Sequence, residues 1–283
     1  MNLIKSFVLG IVQGLTEFLP ISSTAHLRII PSFLKWEDPG TIFSAIIQFG
    51  TVFSVVIFFW KDLTILTKAF LNDLFLFLSE KNKSVAKSTN SKLVWWIGIG
   101  TIPICVFGLL FKDPLENGVF RNLNLIALYL IYFGAMLLFS EFVAKKNRDI
   151  NSIKLLDVFL IGLTQAFSLV PGASRSGVTI MAGLLIGFKR ADAAKFSFLL
   201  GLPATILSGL LELYTLIKNL KSGTEDVVFL ELLIGLLSAF ISGYWAIGFL
   251  LKYLQTHKTY IFIIYRFLLG LAIIYLFNSG IIK

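Results

Sequence analysis

Residues 19–23, Leu-Pro-Ile-Ser-Ser, interrupt an otherwise apolar segment that runs from Asn2 to Ile30. Proline disfavours the helical conformation in the residue before it, so a helix is expected to end at Leu19. Serine is a good N-cap, so a second helix is expected to begin directly after the break. Each half has about 15 residues, fewer than the roughly 20 that cross a bilayer. The interruption therefore predicts a re-entrant hairpin, whose broken backbone is tolerated only where protein or water satisfies it.

A second segment, Leu155–Phe188, is broken in the same way at Val170-Pro171-Gly172-Ala173-Ser174. Gly162-Leu163-Thr164-Gln165 precedes this break, as Gly10-Ile11-Val12-Gln13 precedes the first. Downstream, Phe196-Ser197-Phe198-Leu199 resembles Phe43-Ser44-Ala45-Ile46. The similarity predicts an internal duplication within one membrane domain, residues 1–283, with repeat 1 over about 1–145 and repeat 2 over about 153–283.

The composition indicates that the bilayer is the solvent of this chain. Hydrophobic residues make up 57% of the sequence and charged residues 14%, whereas soluble domains carry about 25% charged residues. The long apolar runs do not alternate as barrel strands do. Six of them are predicted to span the membrane: Thr41–Trp60, Leu93–Phe111, Leu123–Val143, Phe196–Ile217, Val227–Leu251 and Tyr260–Phe277. Between the first two, an amphipathic helix is predicted around Leu63–Leu78.

The predicted fold is an all-α polytopic membrane protein, in which each repeat has one re-entrant hairpin and three transmembrane helices. Three is odd, so the second repeat must be inverted relative to the first. With both termini outside, the inside loops 61–92, 144–154, 188–195 and 252–259 hold fifteen Lys or Arg residues. The outside loops and Lys283 hold six, which agrees with the positive-inside rule.

The charge distribution and the cysteine count argue against two other kinds of function. The net charge of +9 comes from basic residues in loops between apolar runs, which argues against a nucleic-acid partner. Cys105 is the only cysteine, so a disulfide or a cysteine metal site within the chain is excluded.

The first hairpin carries polar residues at positions where they are costly in a membrane. Gln13 and Glu17 are four apart and share one helix face. After the break, Ser23 and His26 are three apart and share another face. Ser22 and Ser23 could serve only as helix caps, and His26 could be a buried histidine with satisfied hydrogen bonds. A lone carboxylate such as Glu17 is harder to explain without a function.

The second hairpin has the composition of an anion site. Three hydroxyl groups and one guanidinium follow Gly172 at a predicted helix start: Ser174, Arg175, Ser176 and Thr179. Free N–H groups and the positive end of the helix dipole favour anions there, and the guanidinium matches phosphate oxygens. The alternative is a capped kink from which Arg175 extends to the membrane surface. A carboxylate, an imidazole, a hydroxyl and a phosphate clamp together predict phosphoryl transfer on a lipid.

Residues 13–27 (Gln-Gly-Leu-Thr-Glu-Phe-Leu-Pro-Ile-Ser-Ser-Thr-Ala-His-Leu) and 171–179 (Pro-Gly-Ala-Ser-Arg-Ser-Gly-Val-Thr) resemble the two signatures of the undecaprenyl-diphosphatase, or bacitracin-resistance protein, family. The resemblance extends over essentially the whole chain. Thr24-Ala25 stands where the commoner form of the first motif has Ser-Gly, while Glu17, Ser23 and His26 are in place.

The resemblance implies cleavage of undecaprenyl diphosphate to undecaprenyl phosphate and inorganic phosphate, with a divalent cation, Mg²⁺ or Ca²⁺. It implies Glu17 as base or metal ligand, Ser23 as nucleophile and His26 as general acid/base, with His26 as the rival nucleophile. Phosphate binding would fall to Arg175 and to hydroxyl groups, amides and backbone nearby: Gln13, Ser22, Gln165, Gly172, Ser174, Ser176 and Thr179.

The expected location is the bacterial inner membrane, with a site that opens to its outer face. The expected partners are the polyprenyl diphosphate lipid and the bilayer, and a homodimer is compatible with the sequence. Inverted repeats with broken helices are also typical of transporters, so a transporter or flippase for the same lipid is the main alternative. A passive lipid-binding scaffold is a third, but it would not need Glu17.

Overall fold

The structure, a computed structural model, describes residues 2–37, 40–78, 88–111, 122–221 and 229–282. These residues form eleven α-helices, with short 3-10 turns at Ile150–Ser152 and Ala166–Leu169. The all-α prediction is confirmed for this part of the chain. The helices are α1 (Leu3–Phe18), α2 (Ser23–Phe33), α3 (Gly40–Phe58), α4 (Trp60–Leu78), α5 (Thr89–Leu110), α6 (Leu123–Val143), α7 (Leu155–Gln165), α8 (Arg175–Leu185), α9 (Arg190–Lys221), α10 (Phe229–Thr256) and α11 (Tyr260–Asn278).

The first break lies where proline predicted it. Helix α1 ends at Phe18, and Leu19 has an extended backbone as its C-cap. Ser22 is the N-cap of α2, and its side chain accepts a hydrogen bond from the backbone N–H of Ala25. The predicted helix–break–helix pattern is therefore present, with halves of 16 and 11 residues.

The second break repeats this geometry. Helix α7 continues into the 3-10 turn Ala166–Leu169, and Val170 ends it with an extended backbone. Ser174 caps α8 by accepting from the backbone N–H of Gly177. Ser22 and Ser174 both have a positive φ, 74° and 70°, which few non-glycine residues adopt. The two breaks thus share one uncommon backbone conformation at equivalent serines.

Five of the described helices are long and apolar enough to cross a membrane: Thr89–Leu110, Leu123–Val143, Arg190–Thr215, Phe229–Thr256 and Tyr260–Asn278. They match five of the six predicted spans. The sixth, predicted at Thr41–Trp60, is α3, which meets α4 at a bend of 75° and qualifies as a span only together with it. The predicted amphipathic segment Leu63–Leu78 lies within α4. The chain is an integral membrane protein.

Each broken segment packs against a long helix from the other half of the chain. Helix α1 lies against α10, and α7 lies against α5. Glycine permits both approaches, because a Cβ on Gly10 would overlap Gly235 and Ser238, and one on Gly162 would overlap the backbone of Gly100. Small residues at such contacts are typical of helix packing in membranes.

Three of the loops predicted to lie inside meet at one end of the helices. Glu141, at the end of α6, is 4% exposed and accepts hydrogen bonds from Arg190 at 2.7 and 2.8 Å. The backbone N–H of Thr259 also donates to it, at 3.0 Å. Loop 61–92 is connected to the same end, because its Asp62 pairs with Lys195 of loop 188–195 at 2.6 Å. Side-chain and backbone contacts therefore connect these four segments of the chain to one another.

Candidate active site

A cavity of about 550 Å³ lies between the two breaks. Its polar side comes from both breaks and from helices α3 and α9, and its apolar side comes mainly from α5 and α9. The polar residues are Thr16, Glu17, Ser22, Ser23, Thr24, Gln48, Ser168, Ser174, Arg175, Thr205 and Ser208, and the apolar lining includes Ile104, Leu109, Leu169, Leu207 and Leu211.

Glu17 joins the two halves of the chain within this cavity. Its Oε1 accepts a hydrogen bond from Arg175 Nη2 at 2.7 Å. Its Oε2 accepts from Ser23 Oγ at 2.8 Å and from Gln13 Nε2 at 3.0 Å. Glu17 is buried, so most of the solvation of its carboxylate is replaced by these donors. One side chain therefore orients the serine of the first break and the arginine of the second.

Arg175 is held from its other side by α9. Its Nη1 donates to the carbonyl oxygen of Gly201 at 2.8 Å and also to the hydroxyl of Thr205. A Cβ on residue 201 would lie 3.0 Å from the guanidinium, so glycine gives it room. The guanidinium of Arg175 is thus held in one orientation, with its charge paired to Glu17 inside the protein.

His26 is buried but is not among the residues that line the cavity. Its Nδ1 lies 2.7 Å from the carbonyl oxygen of Ser22, and its Nε2 lies 2.6 Å from the hydroxyl of Tyr265. Both ring nitrogens are therefore engaged by protein groups. Ser23, in contrast, lines the cavity and contacts Glu17.

The other predicted phosphate-binding residues divide into two groups. Ser22 and Ser174 line the cavity as helix caps. The remainder support the breaks from outside the lining: Gln13 contacts Glu17, Ser176 donates to Leu19 O at 3.2 Å, Thr179 donates to Arg175 O at 2.7 Å, and Gly172 supplies a carbonyl acceptor. Gln165 is fully buried, and neither amide atom has a hydrogen-bond partner among the described residues.

Arg266, on α11, was not identified from the sequence. It is 1% exposed and donates to Pro20 O at 3.1 Å, in the first break. It also donates to Gly172 O at 2.9 Å and Ala173 O at 3.1 Å, in the second. A single arginine within the apolar run Tyr260–Phe277 was the signal that could have found it. Gln48 and Thr205 were missed as well, because each is an ordinary polar residue within a predicted span.

The acidic groups of the site are few. Within the described ranges, no three His, Cys, Asp or Glu side chains lie close enough together to hold a metal ion. Among the described residues that line the cavity, Glu17 is the only one with an acidic side chain. A cation at this position would need oxygen ligands from another molecule besides those of the protein.

Comparison with known proteins gives consistent matches over the full chain. The family model described as bacitracin resistance protein BacA matches residues 6–272. An undecaprenyl-diphosphatase of Chlorobaculum tepidum is 44% identical over 287 aligned positions, which cover 99% of each chain. The undecaprenyl-diphosphatase of Prosthecochloris aestuarii is 43% identical over the same coverage, and that of Gloeobacter violaceus is 43% identical over 99% of this chain and 94% of its own.

Proposed function

The chain belongs to the bacitracin resistance protein BacA family, and we propose on that basis that it hydrolyses undecaprenyl diphosphate to undecaprenyl phosphate and inorganic phosphate. The observation that carries the proposal is the contact of Glu17 with both Ser23 and Arg175 in one cavity. The reaction returns the lipid carrier to the form that peptidoglycan synthesis uses. It also removes the diphosphate form that bacitracin binds, which gives resistance.

Ser23 is the proposed nucleophile. As its Oγ attacks the terminal phosphorus, its proton passes to Glu17 Oε2, 2.8 Å away. The bond from that phosphorus to the bridging oxygen breaks, and undecaprenyl phosphate leaves with the proton. Water then attacks the phosphoserine, Glu17 accepts a proton from it, and that proton returns to Ser23 as inorganic phosphate departs. The engaged ring nitrogens of His26 favour serine over histidine in this role.

We propose that Arg175 transfers one hydrogen bond from Glu17 to the substrate when the substrate binds. Its Nη1 is held by Gly201 and Thr205, while its Nη2 contacts only Glu17 in the hydrogen bonds described. A diphosphate in the cavity offers a more strongly charged acceptor for that nitrogen. When Nη2 turns to phosphate, Glu17 Oε1 is released from the guanidinium, while Oε2 keeps its contact with Ser23. The N-termini of α2 and α8 add two positive helix ends beside the same cavity.

A divalent cation, Mg²⁺ or Ca²⁺, is part of the proposal. Mg²⁺ is usually held by one or two carboxylates together with phosphate oxygens. Glu17 fits this arrangement as the protein ligand, with the diphosphate supplying the rest. The cation would neutralise charge on the phosphate oxygens. The protein's contribution remains the orientation of Glu17 by Gln13 and of Ser23 by Glu17.

The prenyl chain is proposed to lie along α5 and α9. Both helices contribute apolar residues to the cavity, and Leu109 and Leu211 are 75% and 54% exposed. Exposed leucines on a membrane protein face lipid, so the cavity is bordered by surface that a lipid tail can contact. The polar end of the cavity then receives the diphosphate while the tail stays in an apolar environment.

We also propose that the two halves are inverted repeats in the bacterial inner membrane. Ser22 and Ser174, 152 positions apart, share one backbone conformation, and each broken segment packs on a helix of the other half. The basic loops support an orientation with both termini outside. In that orientation the substrate site opens to the outer face.

The experiment that separates an enzyme from a transporter or a scaffold is phosphate release in detergent micelles. Micelles have no second compartment, so a flippase would release no phosphate from undecaprenyl diphosphate. We expect release by the wild-type protein and none above background by Glu17→Gln purified in parallel. Equal release by the two would contradict the role of Glu17 in hydrolysis, and no release by either would favour the transporter.

A further inference from the structure

Tyr265, on α11, contacts the first break through His26. The Tyr265 hydroxyl lies 2.6 Å from His26 Nε2, and the two rings are nearly parallel, with centroids 5.6 Å apart. On the other side of the imidazole, Nδ1 lies 2.7 Å from the carbonyl oxygen of Ser22. His26 therefore connects a transmembrane helix to the backbone of the break.

The partners of His26 determine which nitrogen carries its proton. A carbonyl oxygen can only accept a hydrogen bond, so Nδ1 must be the donor to Ser22. In the neutral ring Nε2 is then an acceptor, and the hydroxyl of Tyr265 donates to it. The contact with Tyr265 thus selects the Nδ1–H tautomer, which is the one that can hold Ser22.

Ser22 has a backbone conformation that its surroundings must maintain. Its φ of 74° lies in a region that is costly for a residue with a Cβ. His26 binds its carbonyl oxygen, and Arg266 binds the carbonyl oxygen of Pro20 two residues earlier. Adjacent residues of α11, Tyr265 and Arg266, therefore support both sides of the turn that leads into Ser23.

We propose that Tyr265 is a positioning residue for the hydrolysis, acting through His26 and Ser22 on the placement of Ser23. This inference rests on the proposed function. It gives His26 the role of a hydrogen-bond donor to the backbone, and it leaves the attack on phosphorus to Ser23. Neither Tyr265 nor His26 is among the residues that line the cavity, as this role requires.

The first test reads the tautomer directly by ¹⁵N NMR of histidine-labelled protein. The chain has two histidines, so a His257→Gln background leaves His26 as the only signal, and His257 is exposed. We expect the Nδ1–H tautomer in this protein and a mixture with the Nε2–H tautomer after Tyr265→Phe. An Nε2–H tautomer before that substitution would overturn the proposal, whatever the activity.

The second test is kinetic. Tyr265→Phe keeps the ring that stacks on His26 and removes one hydrogen bond, so kcat should fall roughly 3- to 10-fold. KM for the lipid should stay unchanged, because no residue of the cavity lining is altered, and the melting temperature should fall by no more than the loss of one hydrogen bond implies. Tyr275→Phe is the matched control, since Tyr275 lies on the same helix and is 69% exposed.

The third test distinguishes positioning from chemistry at His26. Asparagine can place an amide N–H near the position of Nδ1 and donate to Ser22, but it cannot attack phosphorus or exchange protons. His26→Asn should therefore retain several-fold more turnover than His26→Ala. Equal and complete inactivity of both variants would overturn the proposal in favour of a chemical role for the imidazole.

The outcomes separate this inference from the proposed function. Absence of hydrolytic activity in the wild-type protein would contradict the proposed function itself. The NMR result would still report on the contact between Tyr265 and His26. An active wild type with Tyr265→Phe equal to Tyr275→Phe in kcat would overturn the positioning role alone.

Discussion

Glu17 and Arg175 form a pair in which each side chain depends on the other for its charge compensation. Their side chains are 6% and 18% exposed and lie 2.7 Å apart. Truncating one partner of a buried ion pair costs about 3–5 kcal/mol, because it leaves the other charge unpaired. Even a substitution that preserves shape, such as Glu17→Gln, leaves Arg175 without a counter-charge, so each variant of this pair needs a melting-temperature measurement beside its activity.

Glu17→Gln and Ser23→Ala are expected to lower kcat by roughly a thousandfold or more each, because groups that act as a unit fail together. For the same reason the double variant should be little worse than either single one. Glu37→Gln changes an exposed carboxylate outside the cavity lining and should retain normal turnover. The turnover of the two single variants, the double variant and the Glu37→Gln control is measured by phosphate release in micelles.

The same variants test the cation. If Glu17 is its ligand, a higher cation concentration should partly restore Glu17→Gln, whose amide oxygen is a weaker ligand, and should leave Ser23→Ala inactive. Multiplicative losses in the double variant, or near-normal turnover of Glu17→Gln, would contradict the assignment of these residues to one unit.

Arg175→Lys retains the charge but replaces a planar fork with a point charge. Arg175 uses Nη1 for Gly201 and Thr205 and Nη2 for Glu17, and a lysine cannot serve both sides. We expect turnover to fall roughly 100-fold, comparable to the loss of one oriented donor to a transition state. A correctly folded Arg175→Lys protein, checked by its melting temperature, with near-normal kinetics would contradict the phosphate clamp.

At the scale of the helices, the close packing of α7 on α5 is sensitive to an added methyl group. Gly162→Ala would overlap the backbone of Gly100, which cannot move aside as a flexible side chain can. We expect a loss of roughly 1–3 kcal/mol in stability, measured as a lower melting temperature in detergent. Gly98→Ala is the control, since a Cβ there meets nothing within 4 Å. Gly98→Ala should be unchanged or slightly stabilised, because alanine has the higher helix propensity, and a Gly162→Ala protein as stable as Gly98→Ala would contradict the packing argument.

The positions of the breaks followed from the sequence because their causes are local. Proline ends the helix at the residue before it, and Leu19 and Val170 have the extended backbone that this rule requires. The i, i+4 spacing likewise predicted the contact between Gln13 and Glu17. These interactions involve neighbours along the chain, so a pattern of residues is enough to find them.

Contacts between distant parts of the chain could not be predicted in this way. Tyr265 and His26 are 239 positions apart, and Arg266 reaches three loop carbonyls through the fold alone. A sequence shows that Arg266 is costly within an apolar span, but it does not show which backbone groups satisfy it. The same limit applies to Thr205, whose contact with Arg175 depends on how α9 lies beside α8.

At the scale of the molecule, the orientation in the membrane is open to a direct test. Residues 79–87 and 283, which bear on it, lie outside the described residues. We expect a reporter fused after Lys283 to be active only outside the cytoplasm, and one inserted in the 61–92 loop to be active only inside. A cytoplasmic signal at Lys283 would contradict the orientation with both termini outside.

The central claim is that the two breaks bring together a serine nucleophile and an arginine clamp around Glu17. Rapid quenching of the wild-type protein with undecaprenyl diphosphate labelled in its terminal phosphate tests it most directly. We predict an acid-stable phosphoryl group on Ser23, identified by mass spectrometry of the peptide and absent from Glu17→Gln. An acid-labile phosphoryl group on His26 would contradict the claim.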